Sequence, residues 1–247
     1  MAKTFTNRSL LWAGIRATLP LVASVAPFGM LFGALGGTAG IPPSVTLLMS
    51  PVVFAGSAQF ISMQLMTGGA SAVVLLLTTF VVNLRHALYG LSLAPHMTRL
   101  SRGWKWLLAY FMTDETYAVA ISRYNQDAAD PPSNLHWFYL GSGLTLWSTW
   151  QISTLIGLVF GSHIPPSWGL DFAVPLTFIA LVVPAIFDRA AVVAALVGGG
   201  MAVLLGGLPL KLGLVAAAFT GILAGMAVDL GWFKKRLAAS EAVEREP

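Results

Sequence analysis

PVVFAGSAQFISMQL, Pro51 to Leu65, is the stretch whose reading decides the fold. It is apolar enough to enter a bilayer. It also carries Pro51, Gly56, Ser57 and Gln59, which a plain lipid-facing helix does not need. Irregular backbone at membrane depth survives only where it is buried in protein or lines a cavity. A second stretch, IPPSWGLDFAVPLTFIALVVPAIF from Ile164, has the same lead-in, IPPS, as Ile41–Ser44. Each lead-in is followed by Pro-x-x-Phe, at Pro51 and Phe54 and again at Pro175 and Phe178. Paired Pro/Gly-interrupted apolar segments are the best sequence pointer to a transporter's binding site.

The chain is 56% hydrophobic and 10% charged, with a mean hydropathy of +0.76. Soluble domains are about 25% charged. Between Ala17 and Pro95 the one Lys, Arg, Asp or Glu is Arg85; between Trp137 and Phe187 it is Asp171. A span needs about 20 apolar residues. These runs imply an all-α integral membrane protein that crosses more than once. The net charge of +4 and pI of about 9.6 do not point to nucleic acid. The basic residues sit at the ends of apolar runs, as the positive-inside bias requires. The absence of cysteine excludes disulfides and thiol chemistry. Arg16 interrupts the first apolar run, so the N-terminus reads as retained rather than as a cleaved signal.

Clear apolar segments run roughly 17–36, 70–95, 104–122, 137–160, 190–207 and 208–231. Two more, 45–66 and 170–187, are ambiguous. If both re-enter, about six helices span the membrane and both termini are cytoplasmic. Lys3, Arg8, Arg16, Arg99, Arg102, Lys105, Arg189, Lys234, Lys235, Arg236 and Arg245 then lie inside, and Arg123 and Lys211 outside. Eight full spans would move Arg99, Arg102, Lys105 and Lys211 outside, so charge bias favours six. The two IPPS units would then be oppositely oriented, giving a 3+3 inverted repeat. Residues 1–123 form the first repeat, 124–136 an external linker, 137–231 the second repeat and 232–247 a cytoplasmic tail.

Several stretches together resemble the AzlC family of branched-chain amino-acid exporters. They include FGMLFG at Phe28, VVFAGSAQFISMQL at Val52, VVNLRHALYGLSLAPH at Val81, TDETYAV at Thr113 and YLGSGLTLWSTWQISTLIGLVFG at Tyr139. The resemblance implies an inner-membrane subunit working with a small AzlD-like membrane protein. It implies export of valine, leucine, isoleucine and sometimes methionine, by a secondary carrier coupled to the proton motive force.

An amino acid brings a carboxylate, an ammonium and an apolar side chain. Ionisable residues inside spans are costly and usually functional. NLRHALYG places Asn83, Arg85, His86 and Tyr89 on about two helical turns. Arg85 can hold a carboxylate through two parallel hydrogen bonds, or pair internally with Asp114, Glu115 or Asp171. His86 is a candidate proton relay or an interhelical hydrogen-bonding group. Asp114 and Glu115 point roughly 100° apart on a helix, so one of them faces any given pocket. That one would take the ammonium or a proton. Gly56, Ser57 and Gln59 are the polar candidates of the interrupted segment, where half-helix amides can bind a carboxylate. Tight packing of small residues is their alternative role. Asp171 reads as a helix cap, and Asp188–Arg189 as a helix-end charge pair. No metal or redox cofactor is implied, and no phosphate-binding loop is present. A channel, a non-transporting membrane subunit and an intramembrane hydrolase built on Ser57 and His86 are the rival functions.

Overall fold

A computed structural model of the chain describes residues 6–126, 132–161, 186, 188–208 and 212–243. All regular structure among the described residues is helical. The elements are α1 (Asn7–Thr38), α2 (Pro43–Val53), α3 (Gly56–Thr67), α4 (Ala72–Met97), α5 (Arg102–Tyr110), α6 (Asp114–Gln126), α7 (His136–Gly161), α8 (Arg189–Leu204) and α9 (Leu212–Val243). Of these, α1 and α4 are long and apolar enough to cross a membrane by length and composition. The ambiguous segment 170–187, with Asp171, Pro175 and Phe178, lies outside the described residues except for Ile186.

The chain divides into two compact units. One is Met1–Thr67 with Thr79–Ala173; the other is Gly68–Thr78 with Val174–Pro247. In the second, α8 and α9 pack antiparallel through glycine. A Cβ on Gly221 would meet the Ala194 carbonyl at 2.8 Å, and one on Gly225 would meet Ala194 Cβ at 3.0 Å. Asp188 caps α8 by accepting the Ala191 amide at 2.7 Å, so it serves the helix end rather than a charge pair with Arg189.

The first unit is built on α1 and α7. Thr6 starts α1 by accepting the Ser9 amide at 3.1 Å. A Cβ on Gly14 would strike the Phe138 carbonyl, one on Gly33 the Thr154 carbonyl, and one on Gly157 the Met30 carbonyl. Only glycine lets the two backbones approach this closely, the packing that membrane helices use in place of a hydrophobic drive. Thr18 Oγ1 reaches Ser142 Oγ at 2.7 Å in the same seam. Early residues of α1 meet early residues of α7, and late meet late. The two helices are therefore parallel. Asn134 Nδ2 donates to Asn7 Oδ1 at 2.8 Å and joins their starting ends.

Between them lie two helical hairpins with apices at mid-height. In the first, Thr46 of α2 packs against Gly36, and Ser50 bonds Thr154 at 2.9 Å, so α2 descends beside α1. The chain reverses at Phe54, whose φ of 38° and ψ of 46° are left-handed. A non-glycine residue there costs about 1–3 kcal/mol. Along α3, Ser57 then meets Arg85, and Ser62 meets Thr79 at 2.9 Å, so α3 climbs back antiparallel to α4. In the second hairpin, Met112, just past α5, lies near Gly90 and Lys105 of α5 reaches the Thr98 carbonyl, so α5 rises antiparallel to α4. Tyr117 and Tyr124 of α6 stack on Tyr89 and His96, so α6 returns parallel to α4.

These directions correct one expectation. Segment 104–122 is not one span but two helices of opposite sense. The cause is local: Thr113 Oγ1 accepts the Thr116 amide at 3.2 Å, and Asp114 and Glu115 fill the first turn of α6, where acids suit the helix dipole. The helices that precede the two IPPS units, α1 and α7, are parallel, and the second unit lies outside the described residues. The linker 124–136 joins elements whose flanking ends sit beside the start of α1. Trp104 packs on His136 and Trp137 at ring distances of 4.5 and 5.1 Å, at that same end.

Candidate functional site

The two hairpin apices meet beside the middle of α4. Arg85 Nη1 lies 2.8 Å from Asp114 Oδ2, at the first residue of α6. Arg85 Nη2 donates to Ser57 Oγ at 2.6 Å, in the first turn of α3. One guanidinium thus bridges the N-terminal turns of two half-helices. The pair is not sealed: the side chains are 31% and 40% exposed. Arg85 Nε, Asp114 Oδ1 and Asn83 Oδ1 are buried atoms without a hydrogen-bond partner. The pair therefore keeps unused donor and acceptor capacity.

The choice between the adjacent acids is settled by geometry. Asp114 holds Arg85, and Glu115 does not. Tyr89 borders Asp114 and Arg85 and stacks on Tyr117 at 4.3 Å. His86 packs edge-on to Tyr89 at 6.0 Å. Tyr117 Oη donates to Ser92 Oγ at 2.9 Å and fixes the stack. The Ser57 hydroxyl oxygen accepts from Arg85.

Gly56 and Gln59 point to packing and to an interior polar group respectively. A Cβ on Gly56 would meet the Trp150 ring at 2.9 Å, so glycine is needed for that contact. Gln59 is fully buried, and neither end of its amide has a partner. An unsatisfied buried amide costs about 1–3 kcal/mol.

Sequence reading missed the aromatic brace at the apices. Tyr110, the last residue of α5, donates to the Pro51 carbonyl at 2.8 Å and accepts from Trp147 Nε1 at 2.7 Å. Phe54 and Tyr110 rings lie 6.1 Å apart. The reversal at Phe54 deprives the last carbonyls of α2 of helical partners. Tyr110 supplies one. No signal marked Tyr110 in a chain so rich in aromatics.

The model of the AzlC protein family matches residues 20–164. The chain belongs to the AzlC family. The matched span contains both hairpins, Arg85 and Asp114. The chain is 29% identical to the inner membrane protein YgaZ of Escherichia coli, over 85% of this chain and 89% of that protein. It is 28% identical to the branched-chain amino acid transport protein AzlC of Bacillus subtilis, over 80% and 78% respectively. A membrane protein of Archaeoglobus fulgidus is 28% identical over 84% and 90%. No solved structure matches the chain. This AzlC-family chain brings Ser57, Arg85, Tyr89 and Asp114 together at one place. It leaves Glu115 outside the ion pair and Gln59 in the interior.

Proposed function

We propose that this chain is the large subunit of a secondary transporter that exports valine, leucine, isoleucine and sometimes methionine across the bacterial inner membrane. The observation that carries the reading is the half-open Arg85–Asp114 pair at the meeting of two half-helix N-termini. An α-amino acid is itself a zwitterion. Its carboxylate replaces Asp114 on the planar guanidinium, and its ammonium takes the released Asp114 carboxylate. Charge stays balanced in the exchange, which matters where an unpaired ion costs several kcal/mol. The transport name of the Bacillus relative supports the substrate class. Asp114, between ion-paired and released states, is the group on which the proton motive force acts, with His86 one residue from Arg85 as its relay. A small AzlD-like membrane protein completes the carrier.

In this reading α1, α4 and α7 cross the bilayer, and both hairpins re-enter from opposite sides. Arg8, Arg99, Arg102, Lys105 and Arg123 collect at one end of the first unit, which positive-inside bias makes cytoplasmic. The test is flux. Proteoliposomes holding the chain with its small partner should exchange labelled L-valine and accumulate it when an inward-acid gradient is reversed. Flux of valine that ignores an imposed pH gradient would remove proton coupling. No valine flux with the partner present would remove the transport reading.

A further inference from the structure

A cavity of about 270 Å³ lies between α4, α5 and α7. Its walls are Gly90, Leu93, Ala94, Leu108, Ala109 and Met112, with Tyr139 on the α7 side and Lys105 at the basic end. We propose that this cavity is the side-chain pocket of the transported amino acid and sets the length and branching it accepts. The inference rests on the Arg85–Asp114 reading above and adds the residues that choose among amino acids.

Three observations carry it. The first is continuity. Met112 is two residues before Asp114 and Gly90 immediately follows Tyr89, which borders Asp114. The cavity lining thus begins one residue after Tyr89 on α4 and, on the α5 side, ends two residues before Asp114. The second is chemistry. Apart from Lys105 and the Tyr139 hydroxyl, the lining residues, which include Met97, are apolar, which suits an aliphatic chain and penalises a polar one. The third is size. The volume lies just below the roughly 300–1,000 Å³ usual for small-molecule sites, as an amino acid requires. Gly90 is the tuning position. A Cβ there would meet only Met112 Cε, at 3.9 Å, so a side chain fits the fold while taking pocket space. Met112 is unbranched and adapts to different branch patterns.

The test compares binding of L-alanine, L-valine and L-leucine to the purified chain assembled with its small partner. The variants are Ala94→Leu, which fills the pocket from an exposed position, and Met112→Ala, which enlarges it. One methylene in an apolar pocket is worth about 10–200-fold in discrimination. Ala94→Leu should lower the leucine-to-alanine preference at least about tenfold, and Met112→Ala should shift preference toward larger side chains. If the parent protein binds leucine and both variants keep its preference, the pocket assignment falls while the ion-pair site stands. If the parent protein binds no amino acid, the transporter reading falls and this assignment with it.

Discussion

Arg85 makes two bonds, to Ser57 and to Asp114, and each ties a different hairpin to α4. A lysine would keep the charge but could not present two parallel donors in a fixed plane. In the proposed exchange, Ser57 orients the fork and Asp114 occupies the position that a substrate carboxylate takes over. Hydrogen bonds to charged groups contribute about 1.5–3 kcal/mol. Ser57→Ala should weaken equilibrium binding of L-valine by about tenfold while the protein stays folded in detergent. An unchanged affinity would show that Ser57 has no part in the site. Arg85 and Asp114 were legible in the sequence because charge is rare inside these apolar runs. Their pairing was one of several open choices. Tyr110 and Trp147 were not legible, because an aromatic residue in an apolar run carries no mark of a hydrogen bond made across the fold.

Hairpins, rather than spans, are the elements that build the site. The reversal at Phe54 was legible: Pro51, Gly56 and the polar residues after it have no reason to sit in a plain helix. The second reversal was written as plainly, in Thr113-Asp114-Glu115, a cap followed by two acids in a first helical turn. The apolar run from Trp104 to Ser122 outweighed it, because hydropathy over about 20 residues does not distinguish one crossing from two short helices. Read as two short helices, the segment leaves α7 parallel to α1. Cysteine labelling reads these directions without background, since the chain has no cysteine. Cysteines at Ser101 and Asn134 should label from the cytoplasmic side, and one at Ser44 from the opposite side. Labelling of Ser101 and Asn134 from opposite faces would mean that residues 102–126 cross the bilayer.

At the scale of the whole molecule, the parallel glycine seam of α1 and α7 forms a scaffold against which two hairpin tips meet. Tyr110 braces the tips through Pro51 and Trp147, and Arg85 bridges them from α4. In the proposed topology the tips enter from opposite sides, so the site opens to one side at a time when either tip moves. This is the property an exporter needs. It depends on the substrate competing for the bond between Arg85 and Asp114. Equilibrium binding of L-valine to the purified carrier, parent against Arg85→Lys, tests that competition most directly. The account predicts that the parent binds valine and that Arg85→Lys, equally stable in thermal unfolding, binds it at least about tenfold more weakly. Valine binding of unchanged affinity in the folded Arg85→Lys protein would contradict it.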